Sequence, residues 1–301
     1  MDKKSLLSVH LAVFLFGASG LFVKFIDMPA FLILLGRAMF SAIALYIYIH
    51  IKKYPIRLKY PRHYFWNLMA GVLLTVHWFF FILSVQVSTV AIGTITFATY
   101  PFIVSFIEPY VFKEKFQYKN LITLFLVIIG VMFLIPAFQL TNENTLGIIY
   151  GMIGSVSYAL LSLINRRLAA NYDSAVINLY EQGVSVCLVT LLISIIDPPI
   201  SIGTQVDFIA LIIYGIIFTA LAHSLYIHGL KGVKAQTASI ISVLEPVYSI
   251  FLAMLLLKEG LIIQEIIGIA LILISVILAS YFDKNELQKQ KNQTETHIDL
   301  S

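Results

Sequence analysis

The stretch TITFATYPFIVSFIEPYVFKEKF, residues 94–116, matches SIISVLEPVYSIFLAMLLLKEGL, residues 239–261, when the chain is shifted by 145 positions. The features that coincide are Pro101 with Pro246 and the pair Lys113-Glu114 with Lys258-Glu259. Shared Ile and Phe residues would mean little in two apolar segments. A Pro inside the segment and a Lys-Glu pair at its end, at the same spacing, are much stronger evidence. The match predicts that the chain contains two copies of one unit.

The composition identifies the class of protein. Of 301 residues, 59% are apolar and only 12% are charged, whereas an ordinary soluble domain carries about 25% charged residues. A soluble chain of this length could not cover its surface with so few charges. A soluble enzyme, a nucleic-acid-binding protein and a disordered protein are therefore excluded, and the composition indicates an integral membrane protein with the lipid bilayer as its solvent. A single cysteine gives neither a disulfide framework nor a thiolate metal site.

Hydrophobic runs of spanning length predict an all-α fold with ten transmembrane helices, since a spanning helix needs about 20 mainly apolar residues. The predicted spans lie at residues 6–26, 30–51, 64–86, 89–112, 120–138, 146–168, 175–196, 207–230, 235–257 and 262–282. The segments between them are short, and the polar tail 283–301 is predicted to be a disordered cytoplasmic segment.

The distribution of Lys and Arg predicts the orientation, because cytoplasmic loops are enriched in these residues. With a cytoplasmic N-terminus, 17 of the 20 basic residues fall inside: Lys3, Lys4, Lys52, Lys53, Arg57, Lys59, Arg62, Lys113, Lys115, Lys119, Arg166, Arg167, Lys231, Lys234, Lys284, Lys289 and Lys291. Lys24 and Lys258 fall outside, and Arg37 lies within a span. Both termini are therefore predicted to be cytoplasmic.

Each copy of the repeat contains five spans, and an odd number inverts the second copy relative to the first. Inverted repeats are typical of secondary transporters, because two like halves can enclose a site that opens to either side. The predicted units are residues 1–138 and 146–282.

The motifs that accompany the repeat are Phe16-Gly17, Lys24, Arg37, Tyr100-Pro101, Lys113-Glu114, the stretch LEPVYSIFLAMLLLKEGL at 244–261, and Gly268. With these motifs the sequence resembles the drug/metabolite transporter superfamily, specifically the ten-helix EamA-type permeases. The resemblance covers residues 5–282. It implies a multi-pass permease of the cytoplasmic (inner) membrane that exports a small metabolite, and it does not specify the substrate.

Ionisable side chains within spans are costly and mark function by default. His77, His223 and Glu245 lie near mid-span, and the 145-residue shift aligns His223 with Trp78. Spans 3 and 8 should therefore present aromatic and imidazole groups at one depth. We expect a substrate-binding wall formed by His77, Trp78, Phe81, His223 and Tyr226, although structural histidines and packing aromatics would show the same pattern.

Pro101 and Pro246 predict kinks at equivalent depths. A mid-helix Pro leaves the carbonyl four residues earlier without a partner, which here means the carbonyls of Phe97 and Ser242. Because such groups must find protein, water or solute in a membrane, we expect the kinked segments to line the solute path. The nearby hydroxyl groups of Thr94 and Ser239 belong to the same prediction.

Several roles stay open. Glu245 can carry a coupled proton, form a structural contact or bind a substrate ammonium. For Arg37 and Glu181 we favour a structural role, because spans 2 and 7 are peripheral in the resembling fold. Glu108 and Glu181 lie close enough to the predicted cytoplasmic ends to snorkel. The small residues at 147, 151 and 155 allow either packing within the fold or contact in a homodimer.

These features favour a secondary transporter for an amino acid or related metabolite that works by alternating access. A channel or structural membrane protein is the alternative, and an intramembrane enzyme fits least, since the sequence contains no HExxH, GxSxG or P-loop motif. No catalytic residue, cofactor or metal is expected, nor any nucleic-acid partner.

Overall fold

The structure is a computed structural model that describes residues 2–88, 93, 96–114, 116, 118–133, 142–196, 203–245, 247–248, 251–252, 263–264, 266–278 and 281–282. Its regular elements are all helical. In chain order they are α1 (Lys3–Phe25), α2 (Ala30–Lys52), α3 (Pro61–Val87), α4 (Tyr100–Phe112), α5 (Lys119–Phe133), α6 (Asn142–Ala169), α7 (Ser174–Ile196), α8 (Gln205–Gly229), α9 (Ala235–Ser242) and α10 (Ile266–Leu278). The predicted tail 283–301, Thr94, Pro246 and the pair Lys258-Glu259 lie outside the described residues.

These ten helices fall on the ten predicted spans. Within the described ranges, five helices are long and apolar enough to cross a membrane: α2, α3, α7, α8 and residues Thr145–Ala169 of α6. Large apolar side chains lie on the outer surface of the bundle, among them Ile47, Ile122, Phe125, Leu191 and Ile195. An apolar outer surface of this kind is suited to lipid rather than water.

The helix interruption in the first half lies at a turn rather than at a mid-helix kink. Ala98 and Thr99 form a turn, and Pro101 stands in the first turn of α4, where a missing N–H costs no helical hydrogen bond. In the second half a turn occurs at Val243, which the 145-residue shift pairs with Ala98. The prediction of a mid-helix kink at Pro101 was therefore wrong, but both halves carry an interruption at the same place.

The helix packing repeats with a period of five helices. The pair α3–α6 has its counterpart in α8–α1, the pair α3–α7 in α8–α2, and the pair α4–α6 in α9–α1. In the contacting pairs α2–α7 and α4–α9, each helix is the repeat equivalent of the other, so exchanging the halves leaves these two contacts unchanged. Close approach at α6 depends on Gly151, since a Cβ there would collide with the side chain of Thr96. Each contact that the first half makes with the second is therefore matched by an equivalent contact of the second half with the first, as expected of two copies of one unit.

The described loops separate cleanly between the two ends of the bundle. At one end, Gly232 lies against Ser5, and the Lys59 amide donates to the Tyr172 hydroxyl over 3.0 Å. We call this the basic end, because the described Lys and Arg residues of the loops collect there. At the opposite end, the Asp27 amide donates to Asp207 and the Ser84 hydroxyl donates to the Gly147 carbonyl. Helix α1 therefore begins at the basic end, and α6 begins at the opposite end.

Candidate solute-binding site

A small cavity lies where the two halves meet. Its walls come from α1, α2, α3, α6 and α8 and from the two interrupted segments, and the lining residues are Phe16, Ser19, Arg37, His77, Trp78, Phe81, Phe97, Tyr158, Tyr214, His223 and Glu245. The space is about 40 Å³, which is room for roughly one water molecule. Aromatic walls with a few convergent polar groups are typical of a small-molecule site, but this space is far smaller than such a site, so the walls must move apart to admit a solute.

Arg37 provides the cation of the cavity and is held on several sides. Its guanidinium lies over the Trp78 ring, 3.6 Å from the centroid, and 4.4 Å from the Tyr214 ring centroid. Its Nε donates to the Thr219 hydroxyl over 3.1 Å, and Nη1 donates to the Tyr214 hydroxyl over 3.0 Å. An Arg that is 4% exposed and fixed in this way presents its remaining N–H groups in a defined direction.

The two hydrogen-bond partners of Arg37 come from a π-helical segment, Tyr214–Leu221, within α8. Tyr214 and Thr219 are five residues apart, and the i→i+5 winding of a π-helix brings such residues to one face. The Thr219 hydroxyl also donates to the Tyr214 carbonyl over 3.0 Å. The departure from α-helical winding therefore lets one helix hold Arg37 at two points.

The two imidazoles of the cavity are each anchored through one ring nitrogen. His77 Nδ1 lies 3.0 Å from the Gly154 carbonyl of α6, which can only accept, so Nδ1 carries the proton. His223 Nε2 lies 2.7 Å from Oε2 of Glu181, at a pair that is 1% and 0% exposed. An ionised Glu181 can likewise only accept, which places a proton on His223 Nε2. In the neutral form of either ring, the second nitrogen is an acceptor.

Glu245 provides the carboxylate of the cavity. It follows the turn at Val243 and lies within electrostatic reach of Arg37. Among the residues that the structure describes, none forms a hydrogen bond with its carboxylate. A cation and a carboxylate thus face the same small space, with imidazole nitrogens and aromatic rings between them.

Six of the predicted binding residues line this cavity: His77, Trp78, Phe81, Phe97, His223 and Glu245. The other described ones do not. Tyr226 lies behind Tyr158 and bonds to Ser162 over 3.2 Å, and the hydroxyls of Ser239 and Ser242 donate to carbonyls of their own helix. The Phe97 carbonyl, expected to be free, accepts a long hydrogen bond of 3.5 Å from Ser155 of α6.

Sequence reasoning missed several lining residues. Arg37 was expected to be peripheral, yet it lies in the cavity wall, and Tyr158 and Tyr214 were not singled out at all. Arg37 carried a usable signal, because it is the one Lys or Arg that the orientation analysis assigns to neither side of the membrane. Tyr158 and Tyr214 had none, since aromatic residues are common along the whole chain. The Glu181 carboxylate does not snorkel but pairs with His223.

A larger groove of about 520 Å³ lies near the basic end between α1, α2, α7 and α8. Its walls are mainly apolar, and its rim includes the exposed residues Tyr48 and Leu221. It therefore opens towards the lipid-facing surface. Its lining also comes from both halves, but Asp173 is the one Asp, Glu, Lys or Arg among the described residues that form it. Because the groove does not bring a cation and a carboxylate together, we take the smaller cavity as the candidate solute site. In the part of the chain covered by the structure, no cluster of His, Cys, Asp and Glu could hold a metal ion.

Comparison with known proteins identifies the family. The model of the EamA-like transporter family matches residues 3–135 and again residues 145–281. The chain belongs to the EamA-like transporter family. The long apolar helices agree with a multi-pass membrane protein, and the family's double match agrees with the repeat seen in the sequence and in the helix packing.

Relatives within this family are themselves described only as transporters. An uncharacterized transporter of Clostridium kluyveri is 26% identical over 61% of this chain, and one of Archaeoglobus fulgidus is 26% identical over 55%. These two matches span about three fifths of the relatives' own lengths, 61% and 58%. The uncharacterized transporter YwfM of Bacillus subtilis is 24% identical over 87% of this chain and 85% of its own. A solved crystal structure, 15% identical, shares the fold over 95% of this chain and 99% of its own with a TM-score of 0.80.

Proposed function

We propose that the protein is a secondary carrier that moves an amino acid or a closely related zwitterionic metabolite across the cytoplasmic membrane. The observation that carries this proposal is that Arg37 and Glu245 both line one small cavity. A zwitterion presents a carboxylate and an ammonium a few bonds apart, and the cavity presents the complementary charges. A polyanion would find only one cation there, and an uncharged solute would leave both charges without partners.

The roles of the lining residues follow from their donors and acceptors. The free N–H groups of Arg37 bind the solute carboxylate, since a guanidinium fork matches that geometry. Glu245 binds the ammonium, and the acceptor nitrogens of His77 and His223 take its remaining N–H groups. Trp78, Phe81 and Phe97 pack against the side chain of the solute. The same Glu245 carboxylate can instead hold a coupled proton when the solute is absent.

Alternating access provides the mechanism. Because α1 and α6 begin at opposite ends, the halves form an inverted pair, and rocking one half against the other exposes the cavity to each side in turn. The positive-inside rule places the basic end and both termini in the cytoplasm. Export is the direction that the family resemblance implies. The site is complete in one chain, so a monomer suffices for transport.

The test is counterflow in proteoliposomes. Purified protein is reconstituted, the vesicles are loaded with one unlabelled L-amino acid at a time, and uptake of a ¹⁴C-labelled amino acid mixture is followed. A carrier gives saturable uptake that an internal solute accelerates. Uptake that neither saturates nor responds to internal solute would show a channel and overturn the proposal.

A further inference from the structure

Four charged side chains tie three helices together at the basic end. Arg166, at the end of α6, lies 2.6 Å from the Glu108 carboxylate of α4 and 2.7 Å from Glu114 just after α4. Lys234, just before α9, lies 2.9 Å from the other oxygen of Glu114. We call these four residues the basic-end cluster. It joins α4 of the first half to α6 and α9 of the second.

Glu108 does more than pair with Arg166. One of its oxygens accepts the backbone N–H of Ala235 and the other accepts that of Gln236, each over 2.7 Å. These are the first two residues of α9, where N–H groups lack helical partners and the helix dipole favours an anion. Glu108 is 2% exposed, so the carboxylate is buried against the start of α9. Its contacts therefore fix the position of that helix.

Helix α9 connects this point to the solute cavity. It is eight residues long, ends at Ser242 and is followed by the turn at Val243 and by Glu245 in the cavity wall. A short rigid helix transmits a displacement of its first turn to its last. Whatever holds the start of α9 therefore also positions Glu245.

The sequence does not repeat this cluster at the equivalent positions of the other half. Shifting the chain by 145 positions places Ala253 at the position of Glu108, Leu21 at that of Arg166 and Thr89 at that of Lys234. Glu114 alone keeps a matching residue, Glu259. Three of the four charges are thus absent from the equivalent place at the opposite end.

We propose that the basic-end cluster is a gate that closes the basic end of the transport path, with Glu108 as the positioning residue that couples the gate to Glu245 through α9. This inference rests on the proposed carrier function. Opening the basic end separates α4 from α6 and α9, which removes Glu108 from Arg166 and from the start of α9. Because breaking a buried ion pair is costly until both partners are hydrated, the cluster holds the resting protein closed at this end.

Thiol labelling tests the gate without any transport measurement. Cys187 is the only cysteine, so Cys187→Ser gives a background in which one introduced thiol is read. Ser105→Cys places it one turn deeper than Glu108 on the same face of α4, at a side chain that is 1% exposed. We expect Glu108→Gln or Arg166→Met to raise its labelling by a charged, membrane-impermeant maleimide at least tenfold. The increase should occur in vesicles of one orientation only.

Two controls separate gating from general loosening. Lys231→Met removes an exposed charge at the same end and should leave the labelling rate within twofold. Ser84→Cys carries a thiol near the opposite end at a side chain that is 0% exposed, and its labelling should not rise in the Glu108 and Arg166 variants. If Arg166→Met does not fold, as judged by size-exclusion elution, Glu108→Gln carries the test, and Arg166→Lys, which keeps the charge, should label like the wild-type protein.

The outcomes are distinct for the two proposals. Unchanged labelling at residue 105 in folded variants, or an equal rise at residue 84, overturns the gate and leaves the carrier proposal untouched. A one-sided rise at residue 105 supports the gate. If no amino acid gives counterflow in the same preparation, the proposed solute class fails while the gate stands.

Discussion

Replacing Arg37 should abolish recognition of the solute carboxylate. Arg37 is held by the Trp78 ring at 3.6 Å and by hydrogen bonds to Tyr214 and Thr219, so its free N–H groups are already oriented. Hydrogen bonds to a charged group contribute about 1.5–3 kcal/mol, which corresponds to a roughly 10- to 150-fold loss of apparent affinity in Arg37→Met. Arg37→Lys keeps the charge but loses the planar fork, and we expect a smaller loss.

The assay compares a transported amino acid with its carboxamide as inhibitors of counterflow. In the wild-type protein the amide should inhibit more weakly by the same roughly 10- to 150-fold factor, because it lacks the negative charge. In Arg37→Met the acid and the amide should inhibit equally, since the group that distinguishes them is gone. If Arg37→Met weakened acid and amide by one common factor, Arg37 would act only on the shape of the cavity, and the assignment would fail.

Three further predictions concern other parts of the molecule. Glu245→Gln should reduce counterflow of ammonium-bearing solutes at least roughly tenfold while membrane abundance stays near normal; lost abundance would indicate a structural role. Gly151→Ala should lower the thermal unfolding temperature and reduce the free energy of unfolding by about 1–3 kcal/mol, because the new Cβ collides with Thr96. Gly183→Ala is the control and should leave the unfolding temperature unchanged, because nothing lies within 4 Å of the added Cβ. Burial raises the pKa of Glu114, but hydrogen bonds from Lys234 and Arg166 outweigh it and lower that pKa below its ordinary value. The stabilisation from Glu114 is thus complete above the ordinary carboxyl range and is lost as the pH falls through the lowered pKa, so the difference in unfolding temperature between wild type and Glu114→Gln should vanish in acid.

The number and order of helices could be read from the sequence because each depends on a local property, the length of an apolar run. The same holds for the repeat, which rests on residue identities at fixed spacing. The positions of the helix interruptions were harder to predict. A Pro shows that regular helical hydrogen bonding fails nearby, but it does not show whether the helix breaks before or after the Pro. At Pro101 the helix starts again one residue earlier, at Tyr100, so the proline lies in a first turn and the break precedes it.

Residues of the cavity could be predicted only where their depth within a predicted span was enough to single them out. His77, His223 and Glu245 were found because an ionisable group in a span is rare, and all three line the cavity. The face that a residue presents is set by packing between helices, and hydropathy does not report it. Arg37 and Glu108 show this limit: one reaches the cavity from a helix expected to be peripheral, and the other is buried against α9 instead of reaching the membrane surface.

The two ends of the proposed transport path differ in the free energy needed to open them. The cavity holds about 40 Å³, so an amino acid enters only if the halves separate at one end. Near the opposite end the described residues form no ion pair. Their contacts are hydrogen bonds, such as the Ser84 hydroxyl on the Gly147 carbonyl and the Asp27 amide on the Asp207 carboxylate, and the close packing at Gly151, and such hydrogen bonds are readily exchanged with water. At the basic end, separation must expose a carboxylate and a guanidinium that now satisfy each other. If the proposed carrier and gate are correct, the empty protein should rest closed at the basic end, and binding of a zwitterion between Arg37 and Glu245 should supply the interaction that moves α9 away from Glu108.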